Sequence, residues 1–226
     1  MPKSAKYLLI GSTEAYSGKS ATVLGIAYQL KQKGLDISYG KPLGTCWGGS
    51  PNALIEEDVQ FITETLDLPA NRVLPTVLPL TDATIQKRIR GQDQVDYPLM
   101  LKQYLQASGS DLVLMEGPSN LEEGSLFDLS LQQVAEIINA KIVLVARFHS
   151  LLIVGSLLSA KRRLGDRLLG VFINDIPKER LEEVQSTVKP FLEARGVPIF
   201  GLMPRNDLLR SVSVRDLVKQ LDADVL

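Results

Sequence analysis

Short apolar runs alternate along the chain with longer segments in which apolar residues recur every three or four positions. The short runs predict β-strands at residues 7–10, 36–41, 111–115, 141–146, 168–173 and 197–202. The periodic segments predict helices at residues 19–33, 53–66, 84–89, 97–107, 128–139, 150–164, 177–195 and 213–221. Prolines within residues 69–94 indicate a long connection that carries only the short helix.

Strands of continuous apolar residues, each followed by a helix, are typical of a parallel sheet that is covered on both faces. The chain is therefore predicted to be an α/β protein with a doubly wound, mostly parallel sheet. Ligands of such sheets bind at the carboxyl ends of the strands. We expect functional residues in the segments that follow strands: 11–20, 41–45, 116–119, 147–150 and Asn174.

The segment GSTEAYSGKS lies between the first predicted strand and the first predicted helix. Backbone N–H groups at a helix N-terminus attract anions, Lys19 can reach the phosphates of a nucleotide, and Ser20 can hold Mg²⁺. The pattern GxxxxGK[ST] is incomplete, because Thr13 stands where its first glycine belongs. An ordinary strand-to-helix turn is the alternative, and the strand–loop–helix context favours a phosphate loop.

Four polar residues near predicted strand ends each have a functional and a structural interpretation. Lys41 can contact a γ-phosphate or an anionic substrate, or lie on the surface. Asp58 can bind Mg²⁺, or face the dipole of its own helix. Glu116 directly follows a buried strand, which favours metal coordination or water positioning over a loop cap. Asn174 suits a purine edge or a turn.

Composition narrows the classes of partner. Lys and Arg total 25 against 26 for Asp and Glu, so the chain has no excess positive charge, and a nucleic-acid partner is not expected. No stretch approaches the roughly 20 apolar residues of a membrane helix, so no membrane partner is expected. The single cysteine excludes an internal disulfide and fits a cytoplasmic setting. His149 is the only histidine, and a structural or incidental role is expected for it.

The segments STEAYSGKS, GKPLGT, EED, LMEGPS, VFINDIP and FGLMP occur in the order seen in a known family. In this order they resemble the dethiobiotin synthetase-like branch of the P-loop NTPases. The resemblance is closest to the N-terminal domain of some phosphate acetyltransferases, and it spans residues 6–204. It implies a P-loop fold that binds ATP and Mg²⁺.

The resemblance also assigns roles to individual residues. It places the nucleotide on Thr13, Glu14, Ser17, Gly18, Lys19, Ser20, Ala21 and, for the adenine, Asn174. It places Mg²⁺ on Ser20, Asp58 and Glu116, and the second substrate on Lys41, Thr45, Gly117, Pro118 and Ser119. Lys19, Lys41 and Glu116 would be the catalytic residues.

Two departures from the synthetase pattern affect its substrate loop. Ser12 replaces a glycine, and Pro118-Ser119 replaces a glycine pair. Proline has no N–H to donate, so the anion-binding backbone of the synthetase cannot form in the same way. These changes favour a nucleotide-sensing regulatory module over the alternative, an ATP-dependent carboxylate ligase. A dimeric switch ATPase is disfavoured, since the loop lacks a second, earlier lysine.

The organisation of the chain follows from the same resemblance. We expect a nucleotide-binding domain at residues 1–205. Residues 206–226 resemble the opening of a DRTGG domain, so the chain is expected to be a fragment of a longer protein. The expected partners are a nucleotide, a neighbouring DRTGG-type or acetyltransferase domain, and a second copy in a homodimer.

Overall fold

The computed structural model describes residues 6–44, 57–105 and 109–206. Its main sheet has seven strands, and every strand pair in it is parallel. The strands of the protein are β1 (Lys6–Ser12), β2 (Ile37–Gly40), β3 (Leu43–Gly44), β4 (Val73–Leu74), β5 (Leu78–Pro79), β6 (Leu112–Glu116), β7 (Lys141–Arg147), β8 (Leu168–Ile176) and β9 (Ile199–Pro204). Their order in the main sheet is β4-β2-β6-β1-β7-β8-β9, while β3 and β5 form a separate parallel pair.

Helices follow most of these strands. They are α1 (Lys19–Gln32), α2 (Glu57–Thr65), α3 (Asp82–Ile89), α4 (Tyr97–Leu105), α5 (Leu131–Ile137), α6 (Ile153–Leu164), α7 (Leu181–Glu183) and α8 (Lys189–Glu193). Short 3₁₀ turns lie at Ala70–Arg72, Ser125–Phe127, Gly165–Arg167 and Lys178–Arg180. None of the helices in the described ranges is long and apolar enough to cross a bilayer.

The apolar runs of the strands place consecutive side chains on opposite faces of the sheet. On β1, Leu9 and Ile10 are both fully buried, yet they belong to two different core clusters. Ile10 packs in the cluster that includes Val23 of α1 and Ile62 of α2. Leu9 packs in the other cluster, which includes Leu157 of α6. The sheet is therefore covered on both faces, which confirms the predicted doubly wound α/β class.

The structure departs from the predicted elements in several places. The two-residue strands β4 and β5 lie within the predicted connection, because so short a strand leaves no readable alternation. The helix predicted from residue 128 begins at Leu131, after a capping box between Ser130 and Gln133.

The helix predicted at residues 177–195 is not one regular helix. α7 continues into a π-helical stretch, Val184–Val188, before α8 begins. Pro190 lies near the start of α8, where it has no N–H for the regular ladder. The start of the helix predicted at 53–66, the helix predicted at 213–221 and Thr45 fall outside the described residues.

Candidate functional site

The loop between β1 and α1 lies at the centre of the carboxyl edge of the sheet. Its strand, β1, is flanked by β6 and β7, with Ile10 in register with Glu116. The backbone N–H of Gly117 donates to the carbonyl of Ile10 at 2.8 Å. The segments that follow β2, β6, β7 and β8 therefore converge on this loop, as expected from a parallel sheet.

The loop enters α1 with its backbone N–H groups uncapped. Gly18 is the N-cap of the 14-residue helix, and no described side chain caps this end by a hydrogen bond. The first turn of α1 also contains no acidic residue. The opening N–H groups of a helix have no partner within the helix, and the dipole adds positive potential there. This end of α1 is therefore suited to an anion.

Buried groups of the loop agree with a ligand at this position. Gly18 has a φ of 92°, and a Cβ there would lie 2.2 Å from Nδ2 of Asn174. The hydroxyl of Ser17 is buried and has no hydrogen-bond partner among the described residues. Glycine at position 18 adds no side chain over the loop backbone, and the Ser17 hydroxyl is a buried polar group without a partner among the described residues.

Glu116 is the centre of a buried polar cluster. Its side chain is 0% exposed, and its Oε1 pairs with the Lys19 ammonium group. The Ser20 hydroxyl donates to the same oxygen at 2.9 Å, and the Tyr39 hydroxyl donates to Oε2 at 2.9 Å. A buried carboxylate requires such partners, because an uncompensated charge in the interior is strongly destabilising.

The residues present fit a magnesium ion shared with a ligand. Ser20 and Glu116 bring one hydroxyl and one carboxylate oxygen to the same point beside α1. No group of three or more His, Cys, Asp or Glu side chains suited to a metal ion occurs in the described part of the chain. Magnesium commonly uses one or two carboxylates and takes its other ligands from phosphates and water.

Lys41 and Asp58 form a second ion pair near the loop. Lys41 is 5% exposed and contacts the Asp58 carboxylate, whose side chain is more open to solvent. Asp58, a predicted metal ligand, therefore binds a lysine in this structure. Both residues line a cavity of about 540 Å³ with much of the predicted site: Ser17, Gly18, Lys19, Ser20, Ala21, Gly117, Pro118 and Ser119.

In the loop after β6, both backbone groups of Ser119 are hydrogen-bonded to side chains. The Ser12 hydroxyl donates to the Ser119 carbonyl at 2.7 Å. The Ser119 N–H donates to the Glu123 carboxylate at 2.5 Å, so this amide is occupied by a carboxylate of the chain itself. Glu123 lines the same cavity, but the sequence pattern did not predict it as a site residue. Its only signal there was the acidic pair Glu122-Glu123, which is typical of exposed loops.

Asn174 lies against the loop from the far side. Its Nδ2 donates to the Ser17 carbonyl at 2.9 Å, and it lines a cavity of about 460 Å³. Asp175 borders this cavity and accepts from Nε of Arg147 at 2.9 Å and Nε of Arg205 at 3.0 Å. Sequence reasoning missed this triad, although Arg147 and Asp175 follow predicted strands.

Thr13 and Glu14 are placed apart from the Lys19 cluster. They line a different cavity of about 660 Å³, beside the start of α6. The Glu14 carboxylate lies 3.0 Å from Nε2 of His149, which gives this histidine a partner on the loop. The sequence predicted a structural or incidental role for His149, and the family resemblance implied a nucleotide-binding role for Glu14.

Tyr39 is the central residue that sequence reasoning overlooked. It is fully buried in β2, two positions before Lys41, and it binds Glu116. Strand alternation places residues 39 and 41 on the same face. The feature of the sequence that could have identified it was a tyrosine within an apolar strand, two positions before Lys41.

Comparisons with known proteins agree with this geometry. The model of the AAA domain family AAA_26 matches residues 6–213. A phosphate acetyltransferase from Synechocystis sp. (strain ATCC 27184 / PCC 6803 / Kazusa) is 27% identical over 226 residues, covering 97% of this chain and 32% of the relative. The chain thus spans about a third of the length of this curated relative.

Two solved structures share the fold. Chloroplast FtsY from Physcomitrella patens has a TM-score of 0.54 at 11% identity, covering 88% of this chain and 58% of that one. The signal recognition particle 54 kDa protein from Aeropyrum pernix K1, in complex with GDP, has a TM-score of 0.54 at 14% identity, covering 98% of this chain and 49% of that one. At these identities the likeness concerns the fold alone.

Proposed function

Because this chain belongs to the AAA domain family AAA_26, we propose that it is a nucleotide-sensing module that binds Mg-ATP within a phosphotransacetylase-family protein. One observation carries the proposal. The uncapped N-terminus of α1, Lys19, Ser20 and the buried Glu116 lie together at the carboxyl edge of the sheet.

The triphosphate would lie against the first turn of α1. The N–H groups of that turn and the Lys19 ammonium would bind its oxygens. Ser20 and Glu116 would hold Mg²⁺, whose positive charge offsets that of the phosphates. On binding, Lys19 would exchange its contact with Glu116 for a contact with phosphate.

The charges at the Lys41 end of the same cavity favour sensing over a ligase reaction. A carboxylate ligase needs positive groups where its anionic substrate binds. Here the Lys41 charge is offset by Asp58, Pro118 has no N–H, and the Ser119 N–H is already taken by Glu123. The carboxylates of Asp58 and Glu123 line this cavity and would repel a second anion.

The bond between Ser12 and Ser119 supports a route for passing on the nucleotide state. It joins the end of β1, where the phosphate loop begins, to the loop after β6. A shift of the phosphate loop would therefore move residues 117–124. The receiver would be a neighbouring domain of DRTGG or acetyltransferase type, or a second copy of the chain.

Asn174 supports a preference for adenine. Its Nδ2 donates one of its two N–H groups to the Ser17 carbonyl, so Oδ1 and the second N–H remain for a base. Adenine offers an amino donor on its exocyclic edge, whereas guanine offers a carbonyl acceptor at that position. An amide that keeps one acceptor and one donor matches the N6 amino group and N7 of adenine, which supports ATP over GTP.

Calorimetric titration with ATP tests the proposal. We expect binding that strengthens with Mg²⁺, weaker binding of GTP, and no detectable binding by Lys19→Ala, which loses the ammonium group. Lys33→Ala, at the exposed end of the same helix, is the matched control and should bind like the wild type.

Turnover separates the two functions. A sensor should bind Mg-ATP without rapid phosphate release when carbamates of diaminopelargonate-like amines are added. Rapid, Lys41-dependent phosphate release would instead support the ligase, which the burial of Lys41 beside the phosphate loop favours. Absence of ATP binding at millimolar concentration would contradict both.

A further inference from the structure

We propose that Tyr39 is a positioning residue that orients Glu116 toward the metal and so sets the magnesium dependence of nucleotide binding. The inference rests on the proposed Mg-ATP function. It is carried by one contact, in which the buried Tyr39 hydroxyl donates to Oε2 of Glu116 at 2.9 Å.

The sheet brings the two residues together from neighbouring strands. β2 pairs in parallel with β6, with Tyr39 in register with Leu114 and Gly40 in register with Met115. Alternation then places Tyr39, Leu114 and Glu116 on the face that α1 covers. Tyr39 and Leu114 accordingly share one core cluster, and both are 0% exposed.

The two oxygens of Glu116 have separate partners. Oε1 accepts from Lys19 and Ser20 of α1, and Oε2 accepts from Tyr39 of β2. The hydroxyl bond is charge-assisted and lies where water has no access, so it restrains the rotation of the carboxylate. Oε1 is thereby the oxygen presented beside the Ser20 hydroxyl.

This restraint matters most when a nucleotide is bound. Once Lys19 turns to the phosphates, the Tyr39 bond is the contact from the sheet that still fixes Glu116. A carboxylate held in this way meets the demanding octahedral geometry of Mg²⁺ without reorienting. Partners that orient a metal ligand commonly change metal affinity 10- to 100-fold when they are removed.

Tyr39→Phe tests the inference, because it keeps the buried ring and removes only the hydroxyl. In calorimetric titrations of the full chain, we expect the Kd for ATP with saturating Mg²⁺ to rise about tenfold. The Kd for ATP in EDTA should stay unchanged, since the phosphates still meet Lys19 and α1. Tyr28→Phe, on α1 with its side chain 55% exposed, is the control and should change neither Kd.

The outcomes separate this inference from the proposed function. Equal weakening with and without Mg²⁺, or no change at all, overturns the role of Tyr39 while leaving ATP binding intact. A wild-type chain that binds no ATP, or binds it without regard to Mg²⁺, overturns the proposed function itself.

A second measurement applies if Tyr39→Phe does not fold. With 3-fluorotyrosine at position 39, the ¹⁹F resonance of the ATP-bound protein should shift when Mg²⁺ is added. The same label in Glu116→Gln should not respond. A resonance that ignores Mg²⁺ in the otherwise wild-type chain overturns the inference.

Discussion

At Gly18, backbone conformation and side-chain space select the same amino acid. The residue has a φ of 92°, which L side chains adopt only with strain. An added Cβ would also lie 2.2 Å from Nδ2 of Asn174, inside any normal contact distance. Gly18 is thus needed both for the turn into α1 and for the approach of Asn174 to the loop.

Gly18→Ala should weaken ATP binding at least about tenfold, which corresponds to about 1.4 kcal/mol. The reason is that an alanine is strained at this φ and displaces the Asn174 side chain, so the loop is expected to shift and draw its amides away from the phosphates. Calorimetric titration measures the change.

Gly25→Ala, in the middle of the same helix, provides the control. A Cβ there meets nothing within 4 Å, so this variant should bind normally and gain up to about 1 kcal/mol of stability. Equal effects of the two substitutions on ATP binding would contradict the role given to Gly18.

At the scale of elements, the Ser12 side chain joins the start of the phosphate loop to the loop after β6. Ser12 is buried at the end of β1, and its hydroxyl is bonded to the Ser119 carbonyl. Glu123 holds the N–H of the same residue. Ser119 therefore has both backbone groups engaged, one with the end of β1 and one within its own loop.

Ser12→Ala should lower the free energy of unfolding by about 1–3 kcal/mol, because the Ser119 carbonyl loses its partner. It should also abolish the ATP-induced change in amide hydrogen exchange that we expect at residues 117–124. Urea denaturation and exchange mass spectrometry measure the two effects.

Ser186→Ala is the matched control, since Ser186 is exposed in the π-helical stretch far along the chain. It should change neither quantity. If Ser12→Ala retained the full ATP-induced response at residues 117–124, the proposed route from the phosphate loop would be wrong.

At the scale of the whole molecule, the sheet order creates the site. The central position of β1 brings the ends of β6, β7 and β8 around one loop. A ligand at this point contacts several segments that unfolding would separate. Binding there should consequently stabilise the fold as a whole.

Mg-ATP at about 100 times its Kd should raise the free energy of unfolding by about 2.7 kcal/mol. For a domain of this size, that corresponds to a rise in Tm of about 5–10 °C, which calorimetry or a dye-based melt can follow. Lys19→Ala should show no rise with the same ligand. A similar rise in that variant would mean that the nucleotide binds elsewhere.

Local patterns in the sequence predicted the fold class, which the structure confirms, and the loop segment of the candidate site. Apolar runs and the helices that follow them predicted the doubly wound sheet, because a strand that is buried on both faces consists of nearly continuous apolar residues. The segment from Ser17 to Ser20 could be identified from the sequence, because a phosphate loop is built from consecutive residues at the start of one helix. The same reasoning predicted the cluster of segments at strand ends, including Glu116 and Asn174.

Only the tertiary structure decided which side chains meet. Lys19 and Glu116 are 97 residues apart, and Asn174 and Ser17 are 157 residues apart. The contacts of Tyr39 and of the Asp175 triad likewise join strand ends that are distant in sequence. Such pairs leave no periodic signal, because their partners are set by strand order and register, which no short segment of sequence encodes.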